Sequence, residues 1–228
     1  MTQSPAHQGT LNNQPALALL KAGAEETFGG LWASLFYSGR VSGKSILVCS
    51  ATRREGATTV AAALALTGSA PTGSLRVALV DFNMRSPALD KLLNLKPAPG
   101  VSEIVGESMD PAIAAQRVTS GLDVYVAGRV SGHTLKILRS AAVREFFEVL
   151  QEGYDHVVVD AAAVNLFPDV QILAGTIRDV VLVSHTEQTP REAVAQAKKR
   201  LEAGGGKLAG LVMNMRAYPI PRFLYRRI

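Results

Sequence analysis

The residues that could do chemistry are concentrated in one stretch, residues 45–64, which reads SILVCSATRREGATTVAAAL. An apolar run meets a short polar loop, which passes through Gly56 into an alanine-rich segment. A strand, a loop and a helix opening on Gly-x-Thr-Thr form the layout of a phosphate-binding loop. In such a loop the backbone N–H groups and the helix N-terminus favour a bound anion. The nucleotide-binding residues predicted from this stretch are Arg53, Arg54, Glu55, Gly56, Ala57, Thr58 and Thr59.

One position departs from the phosphate-loop pattern. The pattern carries a lysine directly after its last glycine, where the ammonium group reaches the β- and γ-phosphates. This chain has Ala57 there. Two interpretations of the nearby Arg53 and Arg54 remain open: one of them replaces the lysine, or both lie on the solvated surface of the loop. The sequence therefore predicts the loop without its usual cation.

Two aspartates stand at the ends of apolar runs, Asp81 after LRVALV and Asp160 after YDHVVV. Ligands of parallel sheets bind at the carboxyl ends of the strands. The Thr58 hydroxyl and two neighbouring carboxylates would suit ATP or ADP with Mg²⁺, which takes oxygen ligands. Thr58 and Asp81 are then the predicted metal ligands, and Asp81 and Asp160 the catalytic candidates. Taken alone, each aspartate is better explained as a strand-end cap; the ordered set is what indicates a site.

Apolar runs alternate with helical patterns along the chain. Near-continuous apolar strands are typical of a parallel sheet that is covered on both faces. We therefore predict an α/β fold of the P-loop NTPase type, with a doubly wound, mostly parallel sheet and helices on both faces. The predicted strands are residues 45–49, 75–81, 122–126, 154–160, 179–184 and 208–214, and the predicted helices are residues 16–37, 58–67, 86–93, 101–105, 143–151 and 191–203. The predicted domains are a flexible leader (1–18), the P-loop domain (19–215) and a basic tail (216–228).

The charge of the chain is unevenly distributed. The net charge is +5, yet the segment from Asn214 to Ile228 holds four arginines and no acidic residue. Because the rest of the chain is nearly neutral, this favours an acidic partner or a membrane surface at the C-terminus over a nucleic-acid-binding face. The single cysteine, Cys49, lies within the first apolar run, so we expect a buried thiol and a reducing compartment.

Several motifs together resemble one known family. The stretch VALVDFNMRSPALDKLLNL, which contains Asp81, Arg85 and Pro87, is similar to the second nucleotide motif of the bacterial tyrosine kinases (BY-kinases) of polysaccharide export. These kinases belong to the deviant Walker A ATPases, which include the MinD and ParA proteins. The resemblance extends over residues 25–228 and includes the segments GVSEIVGES, GLDVYVAG, YDHVVVD, TPRE and LVMN. It implies a setting beside a membrane polysaccharide co-polymerase, a Wzz-like protein that governs chain length and export.

The chain departs from this family at positions that matter for activity. Ala57 replaces the lysine, and Asn83 stands where the family has a second aspartate. The Pro-Pro pair that usually follows the strand aspartate is replaced by Ala161, Ala162 and Ala163. Asn214 and Arg216 match the region that contacts the base in relatives, although Asn214 equally suits a strand-end cap.

The surfaces for partners also differ from the family. Its self-association signature, a glutamate followed by two arginines, reads Glu26, Gly29 and Trp32 here, which leaves self-association open. Trp32 is either a partner anchor or a residue packed on the domain. The family's tyrosine cluster is reduced to Tyr218 and Tyr225, and whether either is phosphorylated stays open. The predicted partner-binding residues are Glu26, Trp32, Tyr225, Arg226 and Arg227.

These observations favour a kinase-like component of exopolysaccharide synthesis that has lost efficient nucleotide chemistry. We expect it in the cytoplasm, held at the inner face of the cell membrane through a partner, with peripheral membrane contact through the tail. The first alternative is an active ATPase or tyrosine autokinase that uses Arg53 or Arg54. A further alternative is a positioning ATPase of the MinD and ParA type.

Overall fold

The fold was determined as a computed structural model, which describes residues 25–69, 75–130 and 134–216. The leader and most of the basic tail, including Tyr218, Tyr225, Arg226 and Arg227, lie outside the described residues. In chain order the helices are α1 (Glu25–Trp32, extended by a π-helical turn over Ala33–Tyr37), α2 (Ala57–Gly68), α3 (Leu89–Leu92), α4 (Val101–Glu107), α5 (Pro111–Ala114), α6 (Thr134–Leu138), α7 (Ala141–Gly153), α8 (Asp169–Ile177) and α9 (Arg191–Ala203). The strands are β1 (Ser45–Ser50), β2 (Val77–Asp81), β3 (Gln116–Thr119), β4 (Leu122–Tyr125), β5 (His156–Ala163), β6 (Asp179–His185) and β7 (Lys207–Asn214).

The strands form a single sheet in the order β3-β4-β2-β5-β1-β6-β7. Every pairing is parallel except that of β3 with β4. The apolar runs predicted as strands are buried along β1, β2 and β4, as expected for strands that are covered on both faces. The predicted doubly wound α/β fold is confirmed.

Two hydrophobic cores occupy the two faces of the sheet. One face is covered mainly by α1 and α2 and contains Trp32, Leu64 and Val158. The other face is covered by α4, α7, α8 and α9 and contains Phe82, Phe147 and Leu173. The carboxyl ends of β1, β2 and β5 therefore meet at one rim between two packed layers, and this rim positions the site.

Four elements in the described part of the chain were not predicted, namely β3, α5, α6 and α8, and one predicted helix was too long. Strand β3 is short, antiparallel and only partly buried, so it has no long apolar run, and helix α8 was not predicted. The helix predicted for residues 86–93 begins only at Leu89. The physical reason is that the Asp81 carboxylate accepts the backbone N–H groups of Ala88 and Leu89, at 3.2 Å each, and so fixes where the helix starts.

Candidate functional site

The phosphate-type loop connects β1 to α2, as the sequence predicts. Gly56 immediately precedes the helix with φ 86°, a left-handed conformation that favours glycine. A Cβ atom at this position would lie 2.3 Å from Nδ2 of Asn214, so a side chain there would have to displace the Asn214 amide. Ala57 is the first helical residue and is buried, with a methyl group at the position where the pattern expects an ammonium group.

Glu55 holds the loop in place. Its buried carboxylate accepts hydrogen bonds from the backbone N–H and the hydroxyl of Thr52, both at 2.8 Å, and from the hydroxyl of Thr189. Its backbone carbonyl accepts a 2.9 Å hydrogen bond from Nδ2 of Asn214. Glu55 was predicted as a nucleotide contact, but its carboxylate is occupied by the protein itself. The loop is therefore tied to the segment that follows β6 and to the last residue of β7.

Asp81 and Asp160 are neighbours in the register of β2 and β5, and both are fully buried. Oδ2 of Asp160 accepts a 2.7 Å hydrogen bond from the hydroxyl of Thr58. Oδ1 of Asp81 accepts the backbone N–H of Asn83 at 3.0 Å, and its Oδ2 caps α3. The structure thus brings together Thr58 and the two carboxylates, the set that the sequence analysis proposed.

Burial makes these carboxylates hard to ionise. It raises the pKa of Asp81 from 3.8 to about 6, although three backbone N–H groups oppose the shift. The pKa of Asp160 is raised well above its ordinary value, first by burial and then by the nearby charge of Asp81. Oδ1 of Asp160 is buried and has no hydrogen-bond partner among the described residues. A divalent cation would relieve both the repulsion and this unsatisfied oxygen.

The donor set fits Mg²⁺ better than a metal held by protein ligands alone. Across residues 25–69, 75–130 and 134–216 no group of three or more His, Cys, Asp or Glu side chains could hold a metal ion. Mg²⁺ is usually bound by one or two carboxylates, waters and the phosphates of a substrate. The hydroxyl of Thr58 and the carboxylate of Asp81 would supply protein oxygens, with Asp160 beside them.

A cavity of about 400 Å³ opens above the loop. Phe167 lies on its wall between two cations: the guanidinium carbon of Arg53 is 5.5 Å from the ring centroid, and that of Arg85 is 5.3 Å away. Arg85 is paired with the buried Asp169 through two hydrogen bonds of 2.7 and 3.0 Å. The cavity is lined by Ser50, Arg53, Arg54, Glu55, Gly56, Ala57, Thr58, Asn83, Arg85, Ser86, Ala88, Ala161, Ala162, Ala163 and Phe167.

The other predicted residues have different surroundings. Thr59 is exposed and does not line the cavity. Asn214 is held against the loop by its bond to Glu55, and Arg216 is exposed at the end of the described chain. No local pattern indicated Phe167, the Arg85–Asp169 pair, or Thr189 as a partner of Glu55, because each of these contacts joins residues that are far apart in the chain.

The partner-anchor interpretation of Trp32 is corrected by its burial. Its ring is 4% exposed and packs on Gly68, with Phe36 at 4.3 Å and His156 at 5.1 Å between ring centroids. A side chain so enclosed has no free surface for a partner. Glu26, by contrast, is exposed on α1. Cys49 is fully buried, and burial raises the pKa of its thiol.

Within the part of the chain that the structure describes, no helix combines the length and the apolar character needed to cross a membrane.

Comparisons with known proteins give bacterial tyrosine-protein kinases among the similar sequences and structures. No family model matches the chain. The tyrosine-protein kinase YwqD of Bacillus subtilis is 31% identical over 173 residues, which are 75% of this chain and 72% of that protein. The putative tyrosine-protein kinase CapB of Staphylococcus aureus is 26% identical over 197 residues, 85% of each chain. The kinase domain of the Escherichia coli tyrosine kinase ETK has a similar structure, with a TM-score of 0.84, 21% identity and coverage of 94% of this chain and 86% of that one.

Proposed function

The chain belongs to the bacterial tyrosine-kinase family, and we propose that it is a kinase-like component of exopolysaccharide synthesis or export in which nucleotide chemistry is impaired. In this proposal it works in the cytoplasm and docks on a membrane polysaccharide co-polymerase. The observation that carries the proposal is Ala57, a buried methyl group at the start of α2 that lines the cavity together with Thr58, whose hydroxyl is bonded to the buried Asp160.

The loss of the lysine is expected to reduce stabilisation of the transition state more than it changes the shape of the loop. Phosphoryl transfer depends on positioned cations that balance the charge of the phosphates. Arg85, which also lines the cavity, is already paired with Asp169. Asn83 has no carboxylate to take a proton. These departures affect separate motifs. They are therefore better explained by a loss of selection for catalysis than by a single substitution for which another residue compensates.

A residual nucleotide would be held by the backbone of the loop and by Mg²⁺. The loop at Gly56 and the first turn of α2 would receive the phosphates, and Thr58 and Asp81 would hold the cation. Bound Mg²⁺ would supply positive charge at the phosphates. The residues of the chain would bind and orient the ligand, and Asp160 would hold the Thr58 hydroxyl through the bond seen here.

The decisive experiment is calorimetric titration of the full chain with ATP and ADP, with and without Mg²⁺, beside the Ala57→Lys variant. We expect the variant to bind Mg²⁺–ATP about tenfold to hundredfold more tightly than the unaltered chain, which corresponds to one charge-assisted contact. Ala57→Met serves as the matched control, because it adds length without charge. Equal, micromolar binding by the unaltered chain and by the lysine variant would overturn the impairment.

A second candidate is an active ATPase or autokinase in which Arg53 supplies the missing charge. The observation in its favour is the position of Arg53 on the cavity wall, over the ring of Phe167. Phosphate release from ATP that is abolished by both Asp81→Ala and Arg53→Ala would favour it. Arg54→Ala is the control, since Arg54 also lines the cavity; loss of activity only in this variant would assign the role to Arg54 instead.

Docking on the membrane partner is proposed through two surfaces, Glu26 on α1 and the basic tail. Glu26 is exposed, and Arg226 and Arg227 add positive charge near Tyr225. Flotation with anionic and with neutral vesicles tests the peripheral membrane contact. Binding to the anionic vesicles that falls with salt and is lost in Arg226→Gln/Arg227→Gln would support it. Equal binding to neutral vesicles would contradict an electrostatic contact.

A further inference from the structure

Strand β7 presents an apolar stripe at one edge of the sheet. Within the described residues it pairs only with β6 and is the last strand in the sheet order. Leu211 is 46% exposed and Met213 is 69% exposed, and their spacing of two residues places them on one face of the strand. An eight-residue edge strand with exposed apolar side chains is a template for pairing with another strand.

The strand at the opposite edge of the sheet, β3, has features that limit pairing with other chains. Strand β3 has four residues, runs antiparallel, and carries Arg117 in an ion pair with Asp123. A short strand with a charged side chain is a poor template for further pairing. Strand β7 is twice as long and has no such charge between Leu208 and Asn214. Strand β3 is therefore protected against further pairing by its own length and charge, whereas β7 requires another segment to cover it.

We propose that the tail segment 222–228 docks along β7 as an additional antiparallel strand and covers Leu211 and Met213. Three features support this occupant. Met215 has φ 54°, a left-handed conformation typical of a turn, directly after the last residue of β7. Pro219 and Pro221 lack an N–H donor and so suit a connection better than a paired strand. The seven residues that follow, RFLYRRI, combine apolar and aromatic side chains with arginines.

A connection formed by residues 215–221 defines one register for the docked strand. If Asn214 is the last residue of β7 and Arg222 the first of the docked strand, Met213 faces Phe223 and Leu211 faces Tyr225. Both aromatic rings then lie on the same face as the exposed stripe, because side chains alternate along a strand. A methionine beside an aromatic ring and an aliphatic beside an aromatic ring are favourable cross-strand pairs.

Competition with a second copy of the chain favours the tail. A segment joined to β7 by a short connection has an effective concentration in the millimolar range at the edge of this strand. A second copy of the chain is present only at its micromolar bulk concentration, so the tail occupies the edge first. The arginines of the docked strand would also leave the new edge charged, which limits further pairing. The docked tail does not depend on the nucleotide site. It is the expected position of the tail in the absence of a bound partner.

The test uses pairs of cysteines in the full chain under mild oxidation. Directly opposite residues of antiparallel strands have Cα atoms about 4.5 to 5.5 Å apart, a separation that suits a disulfide. We expect Met213→Cys/Phe223→Cys and Leu211→Cys/Tyr225→Cys to form an intramolecular bond. The matched control, Met213→Cys/Leu224→Cys, places the second thiol on the other face, and we expect about tenfold less bond there. The native Cys49 is buried and does not compete.

Three outcomes would overturn the proposal: no intramolecular bond in either pair, equal yields in pairs and control, or disulfide-linked dimers whose yield rises with protein concentration. The last would assign the stripe to a second copy of the chain. Hydrogen exchange gives an independent readout on the unmutated strand. Leu224→Pro, which interrupts the docked strand, should speed exchange of β7 amides about tenfold or more, and unchanged exchange would count against docking.

Discussion

The two ends of helix α2 are held by different kinds of interaction. At its first turn, hydrogen bonds join Thr58 to Asp160 and the preceding Glu55 to Asn214, around an open cavity. At its last residue, Gly68, the ring of Trp32 lies so close that a Cβ atom would come within 2.1 Å of it. One end is polar and open to a ligand, whereas the other is apolar and filled.

Both ends carry departures from the family pattern, and the comparison separates their meaning. Ala57 removes a charge without filling the space, so its consequence is expected in binding. Trp32 stands where the family resemblance leads one to expect an arginine, and it is packed into the core, so its consequence is expected in stability. A change of residue type at a family motif therefore does not by itself reveal whether function has been lost or the fold has been repacked.

The largest expected effect is at the filled end. Trp32→Ala should lower the free energy of unfolding by about 3 to 5 kcal/mol, because it leaves a cavity between α1 and α2. Urea unfolding measures this loss. Tyr37→Ala, in the π-helical turn that follows α1, is the matched control, since Tyr37 is 72% exposed and its removal should change stability by less than about 0.5 kcal/mol. Similar losses in the two variants would mean that Trp32 does not fill the core as described.

Gly68→Ala should have the next largest effect. The added methyl group would meet three ring atoms of Trp32 at 2.1 to 2.5 Å, and such overpacking lowers stability by about 1 to 3 kcal/mol. A double-mutant cycle sharpens the assignment. In a Trp32→Ala background the same substitution should become nearly neutral or stabilising, because alanine is the better helix former. An equal cost in both backgrounds would show that the clash lies elsewhere.

The difference between the two ends also explains what could be predicted from the sequence. The loop and the two strand-end aspartates were predictable because each is a local pattern, an apolar run followed by a fixed spacing. The packing of Trp32 on Gly68 was not, since the two residues belong to different elements and Gly68 carries no signal of its own. The same holds for Glu55, whose partner Thr189 is 134 residues away, and for Phe167 beneath Arg53.

The buried carboxylates at the open end of α2 should make the stability of the protein depend on pH. The pKa of Asp81 is about 6 in the folded protein and near 3.8 in the unfolded chain, so the folded protein retains a proton that the unfolded chain releases. This contribution to stability is fully present below pH 3.8 and is lost progressively as the pH rises to about 6. Without Mg²⁺, Asp160→Asn removes one of the two carboxylates and should raise stability at pH 7.5 by about 1 to 3 kcal/mol.

The gain in Asp160→Asn should disappear at a pH of about 2.5, well below the unfolded value of 3.8, where the carboxylates are protonated in both states. Urea unfolding at a series of pH values measures it. Glu148→Gln on α7 is the control, because Glu148 is exposed and its removal should leave the pH profile unchanged. A gain for Asp160→Asn that is equal at every pH would mean that the buried pair is not the source of the effect.

The smallest expected effect concerns the tether between the open end and β7. Nδ2 of Asn214 donates to the carbonyl of Glu55, so Asn214→Ala should lower the free energy of unfolding by about 1 kcal/mol and loosen the loop before Gly56. Hydrogen exchange of the loop amides should quicken, while exchange at Gly68 stays unchanged. Gln196→Ala, at an exposed position of α9, is the control. Faster exchange at both ends of α2 would contradict this expectation. It would show that the helix opens as one cooperative unit and that its two ends are not held separately.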